Sequence, residues 1–199
     1  GLMGLKMTKI KAIIFDCYGV LVDDAMPAFI EEHVSDEETK RQIWEADDAV
    51  NRSEKSVAEF FAFLAGTVGM SAREVTRILD ANTINKQLFD YIRNELKPHY
   101  NIAILSNISG DILDELIGKD NRALFDVETL SYKVGAVKPQ PEIYHYCLER
   151  LDFDAEQCVF IDDKERYCDA ARSMGMHTIR YRNFEEFKKS LEEVLTHEN

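Results

Sequence analysis

Positive charge is scarce in this chain. Its 199 residues carry 24 Lys and Arg against 37 Asp and Glu, a formal net charge of −13. A surface of that sign offers no basic face for nucleic acid or for an anionic bilayer, so neither partner is expected. An anionic substrate would need a locally positive pocket. Long apolar runs are missing as well. The stretch from Ala12 to Val22 carries Asp16 in its middle, which suits neither a membrane span nor the apolar centre of a signal peptide. The four cysteines, Cys17, Cys147, Cys158 and Cys168, make no Cys-x-x-Cys pair and no zinc-like spacing. They read as buried thiols of a reduced, cytoplasmic protein. Low-complexity tracts, repeats and Gly/Ser linkers are absent from the sequence. The 45% of hydrophobic residues is material for one domain, or a domain with an insert, around a real core. Gly1-Leu2-Met3-Gly4 reads as a cloning scar, with translation starting at Met3 or Met7.

What is present is an alternation. Ile10 to Phe15, interrupted only by Lys11, and the continuous runs Ile102 to Leu105 and Cys158 to Ile161 are apolar, the pattern of strands buried on both faces. His177 to Arg180 and Phe125 to Leu130 are weaker candidates. Helical periodicity fills Gly110 to Ile117, Pro141 to Leu151, Glu165 to Met174 and Asn183 to Leu195, with Gly175 placed to stop the third. Strands alternating with helices predict an α/β fold with a parallel sheet. Residues 23–85 break the alternation. They hold no strand-like run, but Ser35 with Glu38 and Ser71 with Glu74 fit capping boxes. Ser53 to Leu64 repeats apolar residues at helical spacing up to Gly66. The division expected is a core of residues 8–22 and 86–199, with an all-helical insert of residues 23–85 after the first strand. The aromatics Trp44, Phe60, Phe61 and Phe63 are expected to pack that helical bundle rather than to form a substrate box. Glu31, Glu32, Asp36, Glu37 and Glu38 read as a solvated face.

Ligands of parallel α/β sheets bind at the carboxyl ends of the strands, so the polar residues there carry the functional reading. Asp16 follows the first strand, Ser106 and Asn107 the second, and Asp162 and Asp163 the Cys158 run; Lys138-Pro139 precedes a helix. Together they suit phosphoryl transfer. Asp16 can attack as a nucleophile and form an acyl-phosphate. Crowded carboxylates repel unless a cation holds them, and an all-oxygen set suits Mg²⁺. Ser106 and Asn107 can donate to phosphate oxygens, or cap the next helix instead. Lys138 supplies positive charge to the nucleophile and the developing phosphate charge.

The order of these motifs resembles the haloacid dehalogenase (HAD) superfamily over nearly the whole chain. Phe15-Asp16-Cys17-Tyr18-Gly19-Val20-Leu21 comes first, then Leu105-Ser106-Asn107. Lys138-Pro139 follows, with Glu142-Ile143-Tyr144 on the next helix. Phe160-Ile161-Asp162-Asp163 comes last, running into Ala170-Ala171-Arg172-Ser173-Met174-Gly175-Met176. The resemblance implies a Rossmann-like core with a small helical cap, the double-Asp ending being similar to sugar-phosphate phosphatases and to the phosphatase domain of epoxide hydrolases. By position it makes Asp16 the nucleophile and a metal ligand, the Tyr18 backbone carbonyl a second ligand, and Asp163 a third with Asp162 supporting it. It gives Ser106, Asn107 and Lys138 the phosphate. The activity implied is a Mg²⁺-dependent phosphatase acting on a small phosphorylated metabolite, as a monomer or homodimer.

One position departs from that pattern. The phosphatases have a second Asp two residues after the nucleophile, as general acid and base, and Tyr18 stands there. A carboxyl with pKa about 4 is replaced by a phenol near 10. Asp-x-Tyr-Gly also opens 2-haloacid dehalogenases, which displace halide without metal. Val20 in place of Thr, and the pair Asp162-Asp163, speak against that chemistry. A binder of phosphate ligands that lost its acid is the third reading.

Overall fold

A computed structural model of the protein describes residues 9–197. The segment read as a scar, and the domain ends at residues 8 and 199, lie outside these residues. Strand β1 (Ala12–Phe15) is wholly buried and sits at the centre of a sheet. It is flanked by β2 (Asn101–Ser106) and β4 (Cys158–Asp162), with β3 (Val127–Leu130) and β5 (His177–Arg180) at the edges. Every pairing is parallel. Phe15 is level with Ile104 and with Ile161, so Asp16 leaves the sheet beside Leu105 and Asp162. Register alone therefore carries Asp16 and Asp162 to one edge.

The period-two alternation of strand side chains feeds two separate cores. Ile13, Phe15, Ile102, Ile104, Val159 and Ile161 pack with Phe89, Ile92, Phe187 and Leu191. These partners come from α5 (Lys86–Tyr91), the π-helical turn Ile92–Leu96 and α11 (Phe184–His197). On the other face Ala12, Ile14, Leu105 and Phe160 pack with Ile143, Tyr144, Cys147, Cys168 and Ala171. Those belong to α9 (Pro141–Leu151) and α10 (Glu165–Ser173). Each fully buried aliphatic or aromatic side chain contributes about 1.5–3 kcal/mol. All four cysteines are buried and unbridged. No helix among the described residues is long and apolar enough to cross a membrane.

Between β1 and α5 stand α1 (Met26–His33), α2 (Glu37–Asn51), α3 (Val57–Val68) and α4 (Ala72–Leu79). They have their own apolar cluster, built on Phe29, Ile30, Ile43, Val50, Phe60, Leu64 and Val75. The two chain segments leading into and out of this insert lie side by side. Val22 bridges Ile84, and the Asp23 amide donates to the Thr83 carbonyl at 3.2 Å.

Among the boundaries that differ from the sequence reading, four stand out. Helix α2 is capped by Asp36, not Ser35, because the Asp36 carboxylate takes both the amide and the hydroxyl of Thr39. Helix α3 is capped by Ser56 and runs past Gly66, which faces open space, to Gly69 in the left-handed conformation. Strand β3 starts at Val127, since Asp126 spends its carboxylate on the Ile102 amide at 2.9 Å. The helix expected from Gly110 is only α6 (Leu113–Ile117). The short helices α7 (Lys119–Arg122) and α8 (Ser131–Val134) complete the chain. Ser71 caps α4 by accepting the Glu74 amide, and Gly175 follows α10 at positive φ, both as read from the sequence.

Candidate active site

Asp16 is 6% exposed and is held from two directions. Its Oδ1 accepts the Cys17 amide at 2.8 Å and the Lys138 ammonium at 2.7 Å. Lys138 also donates to Asp162 Oδ2 at 2.7 Å. This lysine is 1% exposed and Asp162 is fully buried, so two ion pairs share one cation in a low dielectric, where breaking either is costly. Burial works against the lysine's charge, but Asp16 and Asp162 outweigh it and hold the ammonium above its ordinary range.

Asp163 completes a triad: Asp16, Asp162 and Asp163 each offer an oxygen, all within 4.8 Å of one another. Oδ1 of Asp163 is buried and has no hydrogen-bond partner. Burial, then the nearby Asp162, pushes the Asp163 carboxyl up to about 6. Burial and Asp162 likewise hold Asp16 well above the usual carboxylate range, against the pull of Lys138. Three acids facing one lysine leave an uncompensated negative charge. An orphaned carboxylate oxygen among oxygen-only donors is the chemistry of a site for a hard divalent cation, which would reverse these upward shifts.

Gly19 explains why the first motif needs its glycine. Its φ is +86°, and a Cβ there would lie 2.3 Å from Asp163 Oδ2. Only a residue without a side chain lets the loop after β1 approach the Asp163 carboxylate so closely.

Asn107 acts as a bracket on Lys138. Its Oδ1 accepts the Lys138 amide at 2.8 Å and its Nδ2 donates to the Lys138 carbonyl at 3.2 Å. Ser131, the first residue of α8, also holds the loop after β2, accepting the Ile108 amide at 2.8 Å and donating to the Ile108 carbonyl at 2.9 Å. Ser106 is fully buried, its hydroxyl 3.4 Å from the Asn107 carbonyl. It is not part of the cavity wall, whereas Asn107, Ser109 and Gly110 are.

That cavity, of about 970 Å³, opens between the sheet edge and the helical insert. Asp16, Tyr18, Asn107 and Lys138 face Asp24, Trp44, Asp47, Phe60 and Phe61 across it. The insert aromatics thus do two jobs: Phe60 is buried in the insert's cluster, Trp44 and Phe61 pack against it, and all three also line the cavity. Phe63 is 40% exposed. The expectation of packing alone is too narrow for these three, because each touches the insert's cluster and the cavity at once. Burial, with Cys17 and Asp24 nearby, raises the Tyr18 phenol, so it remains a neutral hydrogen-bonding group.

Sequence reasoning missed the residues that line the far wall and those on α10. Tyr167 lies under the Lys138 ammonium, 5.0 Å from ring centre to Nζ, and its hydroxyl accepts from Asn107 at 3.4 Å and from Arg166 at 3.0 Å. Asp24 and Asp47 are raised by burial first, Asp47 to about 7 with Asp48 adding to the effect. Tyr167 had a signal, its place in the first turn after the double Asp; Asp24 and Asp47 had none.

A model of haloacid dehalogenase-like hydrolases matches residues 10–175. The chain belongs to this HAD-like hydrolase family. It is 24% identical, over 94% of its length and 98% of the relative's, to a D-ribitol-5-phosphate phosphatase of Bacteroides thetaiotaomicron. A HAD-like hydrolase of Porphyromonas gingivalis superposes with a TM-score of 0.72 at 25% identity, covering 94% of this chain and 98% of that one. A HAD family enzyme of Bacteroides thetaiotaomicron, solved with magnesium and inorganic phosphate, shares the fold with a TM-score of 0.69 at 23% identity, over 89% and 98% of the two chains. The parallel sheet and the motif order are therefore those of HAD hydrolases.

Proposed function

We propose that this HAD hydrolase is a Mg²⁺-dependent phosphatase that hydrolyses the monoester of a small phosphorylated metabolite. The observation that carries the reading is the buried nest in which Lys138 bridges Asp16 and Asp162 while Asp163 keeps an unpartnered oxygen. Residues 8–22 and 86–199 act as the catalytic core and 23–85 as a cap. An oxygen of Asp16 attacks phosphorus as the ester P–O bond breaks, giving an aspartyl-phosphate, and the ester oxygen takes a proton from water and leaves as the alcohol. Water then attacks the same phosphorus, the bond to Asp16 breaks, and inorganic phosphate leaves. Lys138 fixes Oδ1 of Asp16 and favours its ionised form against the burial and the Asp162 charge that oppose it. Asn107 keeps Lys138 in place at the cavity wall, where the phosphate would lie, and Ser106 is buried behind it. Asp16, the Tyr18 carbonyl and Asp163 would hold Mg²⁺, with Asp162 beside them. When bound, the ion supplies charge to the phosphate oxygens.

Phosphate release with and without Mg²⁺ tests the reading. Release that needs the metal and disappears in Asp16→Asn supports it. Metal-independent halide release from a 2-haloacid would instead select a dehalogenase, the reading that Tyr18 favours. Beryllofluoride binding at Asp16 with neither product would select a phosphate-ligand binder. General acid–base help is worth ~10²–10⁴-fold, so Tyr18→Asp is expected to raise turnover of alkyl phosphates more than that of aryl phosphates. Equal changes for a matched pair would show that another group supplies the proton.

A further inference from the structure

Lys164 immediately follows the paired acids, and its amide donates to Asp162 Oδ1 at 3.0 Å. Its backbone is therefore part of the carboxylate loop. Its ammonium reaches the other way, to 5.2 Å from the Trp44 ring on α2 and 5.3 Å from the Tyr167 ring on α10. One ring belongs to the insert and the other to the core, so the cation joins the two across the cavity wall. The carboxylates of Asp24, Asp47 and Asp48, all on the insert side, also feel its charge. Tyr167 in turn stacks under Lys138 and hydrogen-bonds Asn107. A second tie from insert to core lies elsewhere, where the Ser53 hydroxyl donates to the Tyr132 carbonyl at 3.0 Å. Of the two, only Lys164 is attached to the residues that surround Asp16.

We propose that Lys164 is a positioning residue that latches the cap over Asp16, its ammonium gripped between Trp44 of the cap and Tyr167 of the core. The proposal rests on residues 23–85 acting as the cap. A cation over an aromatic face gains from the ring quadrupole, and Trp is the best such partner. The latch has two consequences for catalysis. It closes the cavity to bulk water, and it ties the closed cap to the loop that carries Asp162 and Asp163. Substrate favours the closed form, so a weakened latch lowers the closed fraction of the free enzyme and reduces apparent affinity in proportion.

Trp44 is the single tryptophan of the chain, so its emission reports the latch directly. Lys164→Met is expected to red-shift that emission in the free protein and to increase acrylamide quenching, with both returning toward wild type on addition of Mg²⁺ and beryllofluoride. KM for a phosphomonoester should rise roughly tenfold with kcat changed less than about twofold, as expected of a contact of this strength acting on the closed population. Lys164→Arg, which keeps a cation for the Trp44 ring, should restore both readouts. Should the methionine variant lose its circular dichroism spectrum, Lys164→Gln repeats the test with a solvated end group. Wild-type emission and quenching in the variant, or a fall in kcat with KM unchanged, would overturn the latch. The emission measurements need no turnover, so an absence of phosphatase activity in the wild type would sink the proposed reaction and leave the latch to be judged by Trp44.

Discussion

Lys138 and Lys164 both donate to Asp162, the first through its ammonium and the second through its backbone amide, and their side chains lie in opposite surroundings. Lys138 is 1% exposed, makes two ion pairs of 2.7 Å and has the Phe160 and Tyr167 rings near its ammonium. Lys164 is half-buried, meets Trp44 and Tyr167 by their ring faces, and looks onto the acids of the insert. In the first setting the cation is indispensable, because two buried carboxylates depend on it. In the second the contact is adjustable, because water can replace part of what a ring face provides. In the proposed reading, the difference separates a rigid reacting centre from a movable cover.

The largest expected effect lies in the rigid half. Lys138→Met leaves Asp16 and Asp162 buried without their cation, which should cost about 3–5 kcal/mol of stability, measured by chemical denaturation, and abolish phosphate release. A loss within experimental error of zero would break the contrast between the two lysines. Next comes Gly19→Ala. The new Cβ collides with the Asp163 carboxylate, and a φ of +86° strains any side chain. A destabilisation of about 1–3 kcal/mol is expected, of the size held in strained backbone, together with weaker retention of Mg²⁺ in a metal-binding titration.

The third effect belongs to the insert side and depends on pH. Burial raises Asp47 from 3.8 to about 7. Between those values the folded protein binds more protons than the unfolded chain, so stability falls as pH rises through the window. Asp47→Asn removes the titration and keeps an oxygen for the Asn51 amide, which now donates to Asp47 Oδ2 at 3.1 Å. The variant should therefore gain on wild type in melting temperature as pH rises from about 4 to above 7, and parallel curves would show that this acid is solvated.

Much of the sheet was legible in the sequence because strands buried on both faces must be apolar throughout. Ile13, Phe15, Ile102 and Ile161 form such runs wherever they stand in a chain. Turn and cap chemistry was legible where one residue type has a unique advantage, as at Ser71 and Gly175. It misled where neighbours compete: Asp36 displaced Ser35 because a carboxylate accepts two hydrogen bonds from Thr39. Asp16, Asp162 and Lys138 could be singled out because they end apolar runs or precede a helix. The roles of Trp44, Asp47 and Lys164 could not, since each depends on how a helical insert folds back onto the sheet edge.

The sequence by itself determined the order of the strands along the chain, the helical character of the insert and the family of the core, because periodicity and motif order are local properties. Tertiary structure alone decided that Lys138 serves two carboxylates, that Gly19 makes room for Asp163, and that Lys164 spans the two parts of the molecule. Those facts arise from contacts between residues far apart in the chain, whose distances are set by packing rather than by spacing.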